Sequence, residues 1–74
     1  MAMAFILLVS TLGFENDVRE VLKDIPGVRE NFKVSGVYDV ILNVEADTLD
    51  ELKELINNIK SAEKVRSALS MIVI

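Results

Sequence analysis

The segment Ala4–Thr11 (AFILLVST) constrains this chain more than any other stretch. It carries no charge and is apolar at both parities, with Phe5, Leu7 and Val9 on one face of an extended strand and Ile6 and Leu8 on the other. A strand without a polar face is covered by protein on both sides, so the fold needs a layer on each side of it. The run is not a membrane span, because a spanning helix needs about 20 apolar residues and this one meets Ser10 and Thr11 first. It is not expected to act as a secretory signal either, since such a signal combines a basic region with a small-residue cleavage site and the run shows neither.

Two covering layers are hard to supply from 74 residues. Chains of this size bury only about 60–65% of their unfolded surface, and a single core below roughly 70–80 residues rarely provides more than about 3–5 kcal/mol. Yet 51% of the residues are hydrophobic. The surplus predicts that a second copy supplies one of the layers, making the chain an obligate homo-oligomer.

The remaining sequence reads as an alternation of strands and helices. Gly13 ends the leading strand. The acidic group Glu15, Asn16 and Asp17 then suits a helix N-terminus, where negative charge meets the positive end of the macrodipole. Val18, Val21, Leu22 and Ile25 follow at helical spacing, and Pro26-Gly27 stops the helix. From Val28 to Val34 the period becomes two, with Val28, Phe32 and Val34 on one side and Arg29, Asn31 and Lys33 on the other. Ser35-Gly36-Val37 makes a turn, and Val40, Leu42 and Val44 define the inner side of the next strand, which pairs with its predecessor as a hairpin. Ile41 is the one apolar residue on the polar side of that strand. Thr48-x-x-Glu51 is a capping box, followed by the helical stripe Leu49, Leu52, Leu55, Ile56 and Ile59. Val65–Ile74 (VRSALSMIVI) reads as the last strand.

The order β-α-β-β-α-β is that of the ferredoxin-like split βαβ motif. Right-handed crossovers put both helices on one face of a four-stranded antiparallel sheet of order 4-1-3-2, an α+β fold. The other face is bare. With Phe5, Leu7 and Val9 assigned to the helices, the bare face is expected to hold Ile6, Leu8 and Ile41, with one parity set of the last strand, either Leu69, Met71 and Val73 or Ile72 and Ile74. A contiguous apolar patch of this kind is abnormal on a monomer, and packing sheet on sheet in a symmetric dimer, a dimeric αβ sandwich, removes it.

Composition narrows the chemistry. With no Cys and no His, thiolate nucleophiles, disulfides, iron–sulfur clusters and the usual general base and zinc ligands are excluded. Eight scattered Lys and Arg against twelve Asp and Glu give a net charge of −4, which argues against direct binding of nucleic acid. A small disulfide-free chain with no membrane segment is expected in the cytoplasm. Asp47, Asp50, Glu51 and Glu54 are better read as capping and solvated-face residues than as a cation site, so no metal and no cofactor is expected. Met1, Met3 and Met71 read as core filler. At the hairpin, Gly36, Val37, Tyr38 and Asp39 allow two readings. One is structural, with Gly for the turn and Asp39 capping a loop amide. The other is a small-molecule pocket, in which Gly36 bares backbone amides and Asp39 meets an ammonium. Ser67 and Ser70 on the last strand offer hydroxyls or merely occupy solvent-facing positions.

The leading strand AFILLV, the helix ended by IPGV, the strand NFKVSG, the run GVYDVILNVEADTLDEL and the closing SMIVI together resemble the effector-binding (RAM) domain of the Lrp/AsnC transcription regulators. The most specific part is Gly-x-Tyr-Asp-Val-x-Leu-x-Val at Gly36–Val44. The resemblance covers essentially residues 1–74 as a single domain. It implies an amino-acid-binding regulatory and oligomerisation module, in which dimers joined through their sheets gather into larger assemblies and bind a small effector in clefts between them. By the same analogy Gly36, Val37, Tyr38 and Asp39 line the cleft and Ser70 supplies a hydroxyl, while Ala68 stands where the family often carries Thr. The family's helix-turn-helix is not expected here, so a full-length regulator of the family is the expected partner for reaching DNA. Two other readings share the topology: a small dimeric ferredoxin-like enzyme using Tyr38 and Asp39 as acid and base in an inter-subunit cleft, and an ACT-like regulatory module.

Overall fold

In the computed structural model, which describes residues 1–74, the chain runs β1 (Ala2–Ser10), α1 (Glu15–Lys23), β2 (Val28–Lys33), β3 (Val40–Ala46), α2 (Leu49–Lys60) and β4 (Val65–Ile72). The strands form one antiparallel sheet in the order β2-β3-β1-β4. This is the ferredoxin-like arrangement that the alternation of periods predicts.

The local signals explain most boundaries. Thr48 Oγ1 accepts a hydrogen bond from the Glu51 amide at 3.1 Å and starts α2. Of the two bonds of the capping box, this is the one formed. Gly27 lies at φ +100°, and a Cβ there would come within 2.7 Å of Leu55 Cδ2 and 2.8 Å of the Glu45 carbonyl oxygen. Only glycine lets the chain leave α1 so close to β3 and α2. Its carbonyl then accepts from the Glu45 amide at 2.8 Å.

The core lies between the helices and one face of the sheet. Ala4, Ile6 and Leu8 of β1 and Val40, Leu42 and Val44 of β3 meet Val18 and Leu22 of α1 and Leu52, Leu55, Ile56 and Ile59 of α2. Val21 is 63% exposed and stands outside this core, contrary to its helical spacing. α1 is only nine residues long, so its apolar contribution to the core is the narrow stripe of Val18 and Leu22, with half-buried Ile25 beyond its end.

The assignment of β1's two faces is reversed from the expectation. Ile6 and Leu8 are fully buried under the helices, whereas Phe5 remains 38% exposed on the opposite face with Leu7 and Val9 half-buried beside it. Both parities of this strand are apolar, so its own pattern cannot orient it. The antiparallel register does, because paired residues share a face: Ile6 is opposite Leu42 and Leu8 is opposite Val40. The bare face therefore carries the row Phe32, Ile41, Leu7 and Leu69 across all four strands, followed by Glu30, Asn43, Phe5 and Met71. Ile41 belongs there as expected, and of the two β4 sets it is Leu69 and Met71 that join it.

A β-bulge corrects the reading of β2. Between Val28 and Glu30 the strand advances two residues for one on β3, which turns Val28 toward the helices opposite Val44 and leaves Phe32 on the bare face. Asn31 also faces the helices and exchanges hydrogen bonds with Arg19 of α1, donating from Nδ2 to the Arg19 carbonyl and accepting from Arg19 Nε at 2.9 Å. A polar pair interrupts these two rows: Asn43 Nδ2 donates to Glu30 Oε1 at 3.2 Å, and Asn43 Oδ1 is buried with no donor from its own chain. An ionised carboxylate only accepts, so the amide cannot be turned around to satisfy that oxygen. No helix is long and apolar enough to cross a membrane.

Candidate functional site

Residues 34–39 connect β2 to β3 at one end of the sheet, and one of the candidate residues, Asp39, is held there firmly. The Asp39 amide donates to the Leu8 carbonyl at 2.9 Å, and the Asp39 carbonyl accepts from the Val34 amide at 2.9 Å. Asp39 Oδ1 accepts from both the amide and the hydroxyl of Ser10, at 3.0 and 3.2 Å. The carboxylate thus takes over where β1 runs past the end of β3 and would otherwise leave a strand amide unpaired. Ser10 is 4% exposed and is the one buried polar residue of the chain. Nothing in the sequence reading singled it out. The signal available was its place as the last residue of β1, two beyond the Leu8–Val40 pair.

Asp39 therefore has the structural duty of a loop cap, and one oxygen, Oδ2, remains uncommitted within the chain. Tyr38 is half-buried, with no hydrogen bond to its hydroxyl from the same chain, while Gly36 and Val37 stand free at the tip, Val37 being 85% exposed. The tip exposes Gly36 and Val37 beside the half-buried Tyr38 and Asp39, on a base pinned by Asp39.

Ser70 is not brought to this tip. It pairs with Ile6 on the far side of β1, whereas Asp39 caps β1 from the β3 side, so two strand spacings of about 4.8 Å each separate them across the sheet. Ser70 is half-buried and lies in the row that faces the helices, while Ser67, opposite Val9, lies on the bare face.

None of the chain's three surface cavities is lined by any of these five residues. One, of about 300 Å³, lies between Gly27, Glu45 and the start of α2; one, of about 350 Å³, lies between α1 and β2 around Arg19 and Asn31; the third, of about 260 Å³, lies beside Phe14 and Lys64. Asp47 and Glu51 border the first, where Arg29 and Glu45 form an ion pair at 3.3 Å. Within one chain, then, the hairpin tip and Ser70 are two separate open surfaces on one scaffold.

Residues 4–74 match the Lrp/AsnC ligand-binding domain. The chain belongs to that family. Its fold is close to that of the solved protein FFRP-DM1, with a TM-score of 0.96 and 40% identity over all of both chains. A hypothetical protein from Pyrococcus horikoshii is as similar in sequence, at 40% identity and a TM-score of 0.93 over all of this chain and 90% of that one. The structure of AsnC from E. coli shares the fold at a TM-score of 0.87 and 23% identity, with this chain spanning 50% of it. Among curated proteins, a homocitrate synthase of Sulfurisphaera tokodaii is 42% identical over 53 residues, which are 72% of this chain but 12% of that enzyme. Its counterpart in Saccharolobus islandicus is 34% identical over 61 residues, 13% of its length. The Lrp/AsnC domain is thus a regulatory module, and the likeness to these enzymes is confined to a small part of them.

Proposed function

We propose that this Lrp/AsnC domain senses an amino acid at a site completed only between copies of the chain. The observation that carries the reading is the openness of the Gly36–Asp39 tip. It is pinned to β1, lined by groups suited to a zwitterion, and faces no cavity of its own chain. Backbone amides near Gly36 suit a carboxylate, and the uncommitted Asp39 oxygen suits an ammonium. Ser70 reaches the same ligand from a neighbouring chain, since its own chain holds it on the opposite side of β1.

The bare sheet face supports the assembly this requires. Phe5, Leu7, Phe32, Ile41, Leu69 and Met71 form an apolar surface in two adjacent rows, and a second copy packed sheet on sheet covers it. The dimer is the first step, and further association of dimers makes the clefts. In this reading the chain works in the cytoplasm and performs no catalysis. The acid–base alternative asks Tyr38 and Asp39 to close on a deep pocket, and Asp39 is instead committed to Ser10. The partner under regulation is a full-length regulator of the same family or, in view of the 42% identity to part of a homocitrate synthase, an enzyme carrying a domain of the same kind.

Isothermal titration calorimetry of the assembled protein against the twenty amino acids tests the proposal. Saturable heat from at least one of them is expected, lost in a Tyr38→Ala variant that keeps its assembly mass. Absence of heat from all twenty at millimolar concentration contradicts it.

A further inference from the structure

On α1, Asn16, Arg19, Glu20 and Lys23 follow one another at the i, i+3, i+4, i+7 spacing of a single helical face. This stripe stands beside the buried stripe of Val18 and Leu22 and turns toward the edge strand β2, where Asn31 meets it. The five side chains line the cavity of about 350 Å³ between α1 and β2, and none of them is apolar. Hydrophobic ligands bind to mostly apolar walls, so this cavity suits a hydrophilic one. Its charge also runs against that of the chain. Arg19 and Lys23 outweigh Glu20 there by one positive charge, whereas the whole chain carries −4. Two cations one turn apart on one face destabilise an isolated helix.

Arg19 is held in one orientation. It is half-buried, its Nε donates to Asn31 Oδ1 at 2.9 Å, and its own carbonyl accepts from Asn31 Nδ2 at 3.2 Å. The side chain is thus fixed through Nε alone. Its Nη groups, which carry the other N–H donors of the fork, bond to no acceptor of the chain. The two ion pairs, Glu20–Lys23 at 2.8 Å and Arg29–Glu45 at 3.3 Å, leave Arg19 out. Asn16 is exposed at the start of the stripe, and its side-chain amide makes no hydrogen bond within the chain. The ammonium of Lys23 has three donors and meets one acceptor, Glu20.

We infer that the cavity between α1 and β2 is a phosphate site, taking inorganic phosphate or the phosphate group of a small hydrophilic metabolite on Arg19, Lys23 and Asn16. An oriented guanidinium donates to two oxygens of one anion. Lys23 adds a point charge, and the Asn16 amide donates from one turn earlier on the same face. Donors from three side chains suit a tetrahedral anion, whereas one guanidinium fork already satisfies a planar carboxylate. Glu20, the one acid of the cavity, has its charge met by Lys23. The site lies on the helix side of β2. It therefore does not rest on the amino-acid reading of the Gly36–Asp39 tip, and it adds a ligand of different chemistry.

Two-dimensional NMR of the isotope-labelled full chain, titrated with inorganic phosphate at an ionic strength held constant by chloride, tests the inference. Saturable shifts are expected at the Arg19 Nε–H and at the side-chain amides of Asn16 and Asn31. Glycerol phosphate and acetate are titrated in the same way. Tighter binding of glycerol phosphate than of inorganic phosphate identifies a phosphorylated metabolite as the ligand, and equal or weaker binding identifies the free ion; both support the site. Asn16→Asp sets a negative charge in the cavity, leaves the Arg19–Asn31 pair in place and suits the first turn of a helix. It is expected to fold and to weaken phosphate binding about tenfold or more. Arg19→Lys keeps the charge without the fork and is expected to weaken binding by a similar factor; should it fail to fold, Asn16→Asp decides. Absence of saturable shifts at the three groups overturns the inference, as does unchanged phosphate binding in Asn16→Asp. Shifts spread evenly over Lys33, Lys53, Lys60 and Arg66 as well would mean an adventitious ion only and would overturn it too. Acetate acting as strongly as phosphate refutes the assignment to phosphate.

Discussion

The two faces of the sheet are almost equally apolar, yet only one is finished by its own chain. On the helix side Ala4, Ile6, Leu8, Val40, Leu42 and Val44 are all fully buried. On the other side Phe32 is 50% exposed and Phe5, Leu69 and Met71 are exposed in part, although they stand in rows as regular as those beneath the helices. The helices of nine and twelve residues cover one face and no more. Hydrophobic content thus reports how much surface has to be covered, whereas topology decides which part is left to another molecule.

That contrast is broken most severely by substitutions under the helices. Leu42→Ala is expected to cost about 2–5 kcal/mol in chemical denaturation, through lost burial and the cavity left behind, with little dependence on protein concentration beyond that of the parent. Leu7→Ala, in the facing row, is expected to weaken assembly instead, so that its unfolding midpoint falls as the protein is diluted. Equal, concentration-independent losses at both sites would erase the distinction between the faces.

Gly27→Ala probes the corner that brings β2 and α2 together. The positive φ alone costs about 1–3 kcal/mol for a residue with a side chain, and the approach of Leu55 and Glu45 adds to it. The expected result is a lower melting temperature with the assembly mass retained. At the hairpin, Asp39→Ala is expected to cost about 1–3 kcal/mol, because it strips the Ser10 amide and hydroxyl of their acceptor. Asp39→Asn keeps an acceptor oxygen for Ser10 but cannot hold an ammonium as a charge partner, so it is expected to keep most of the stability and lose amino-acid binding. The two variants therefore separate Asp39's scaffolding duty from its proposed contact with ligand. Thr48→Ala removes the α2 cap and is expected to cost about 1 kcal/mol.

The smallest effect concerns the exposed pair of Glu20 and Lys23, 2.8 Å apart on α1. Lys23, by hydrogen bond and charge, holds the Glu20 carboxyl below its ordinary value, and Glu20 raises Lys23 in return. A lowered acid contributes stability above its ordinary pKa and loses it as pH falls. A raised base contributes below its ordinary pKa and loses it as pH rises. The pair is therefore intact across the neutral range, and Glu20→Gln is expected to change the acid limb of a stability profile barely measurably, less still in salt.

Much of this molecule was legible from its residues. The change from period two to helical period, Pro26-Gly27, and Thr48 three residues before Glu51 were enough to order six elements and place both helices on one face. The side of β1 that faces them was not legible, since a strand apolar at both parities carries no orientation of its own. It is fixed by register against β3, whose alternation is clean except at Ile41. The bulge at Arg29 escaped for a related reason, because one extra residue shifts Val28 to the other face and leaves no mark in composition. The motif Gly36–Asp39 was visible as residues, but its division of labour was not. The Ser10 contact depends on where β1 ends relative to β3, a relation between segments almost thirty positions apart.

The central claim is that ligand binding belongs to the assembly and not to the single chain. Native mass spectrometry of the protein with and without an equimolar amino-acid mixture tests it most directly. The account predicts multimers of two or more copies, with added ligand mass on those multimers alone and none on single chains released by Leu7→Lys, which leaves the Gly36–Asp39 tip and Ser70 unaltered. Single folded chains that carry a bound amino acid, or an unaltered protein that flies as a monomer at micromolar concentration, would contradict it.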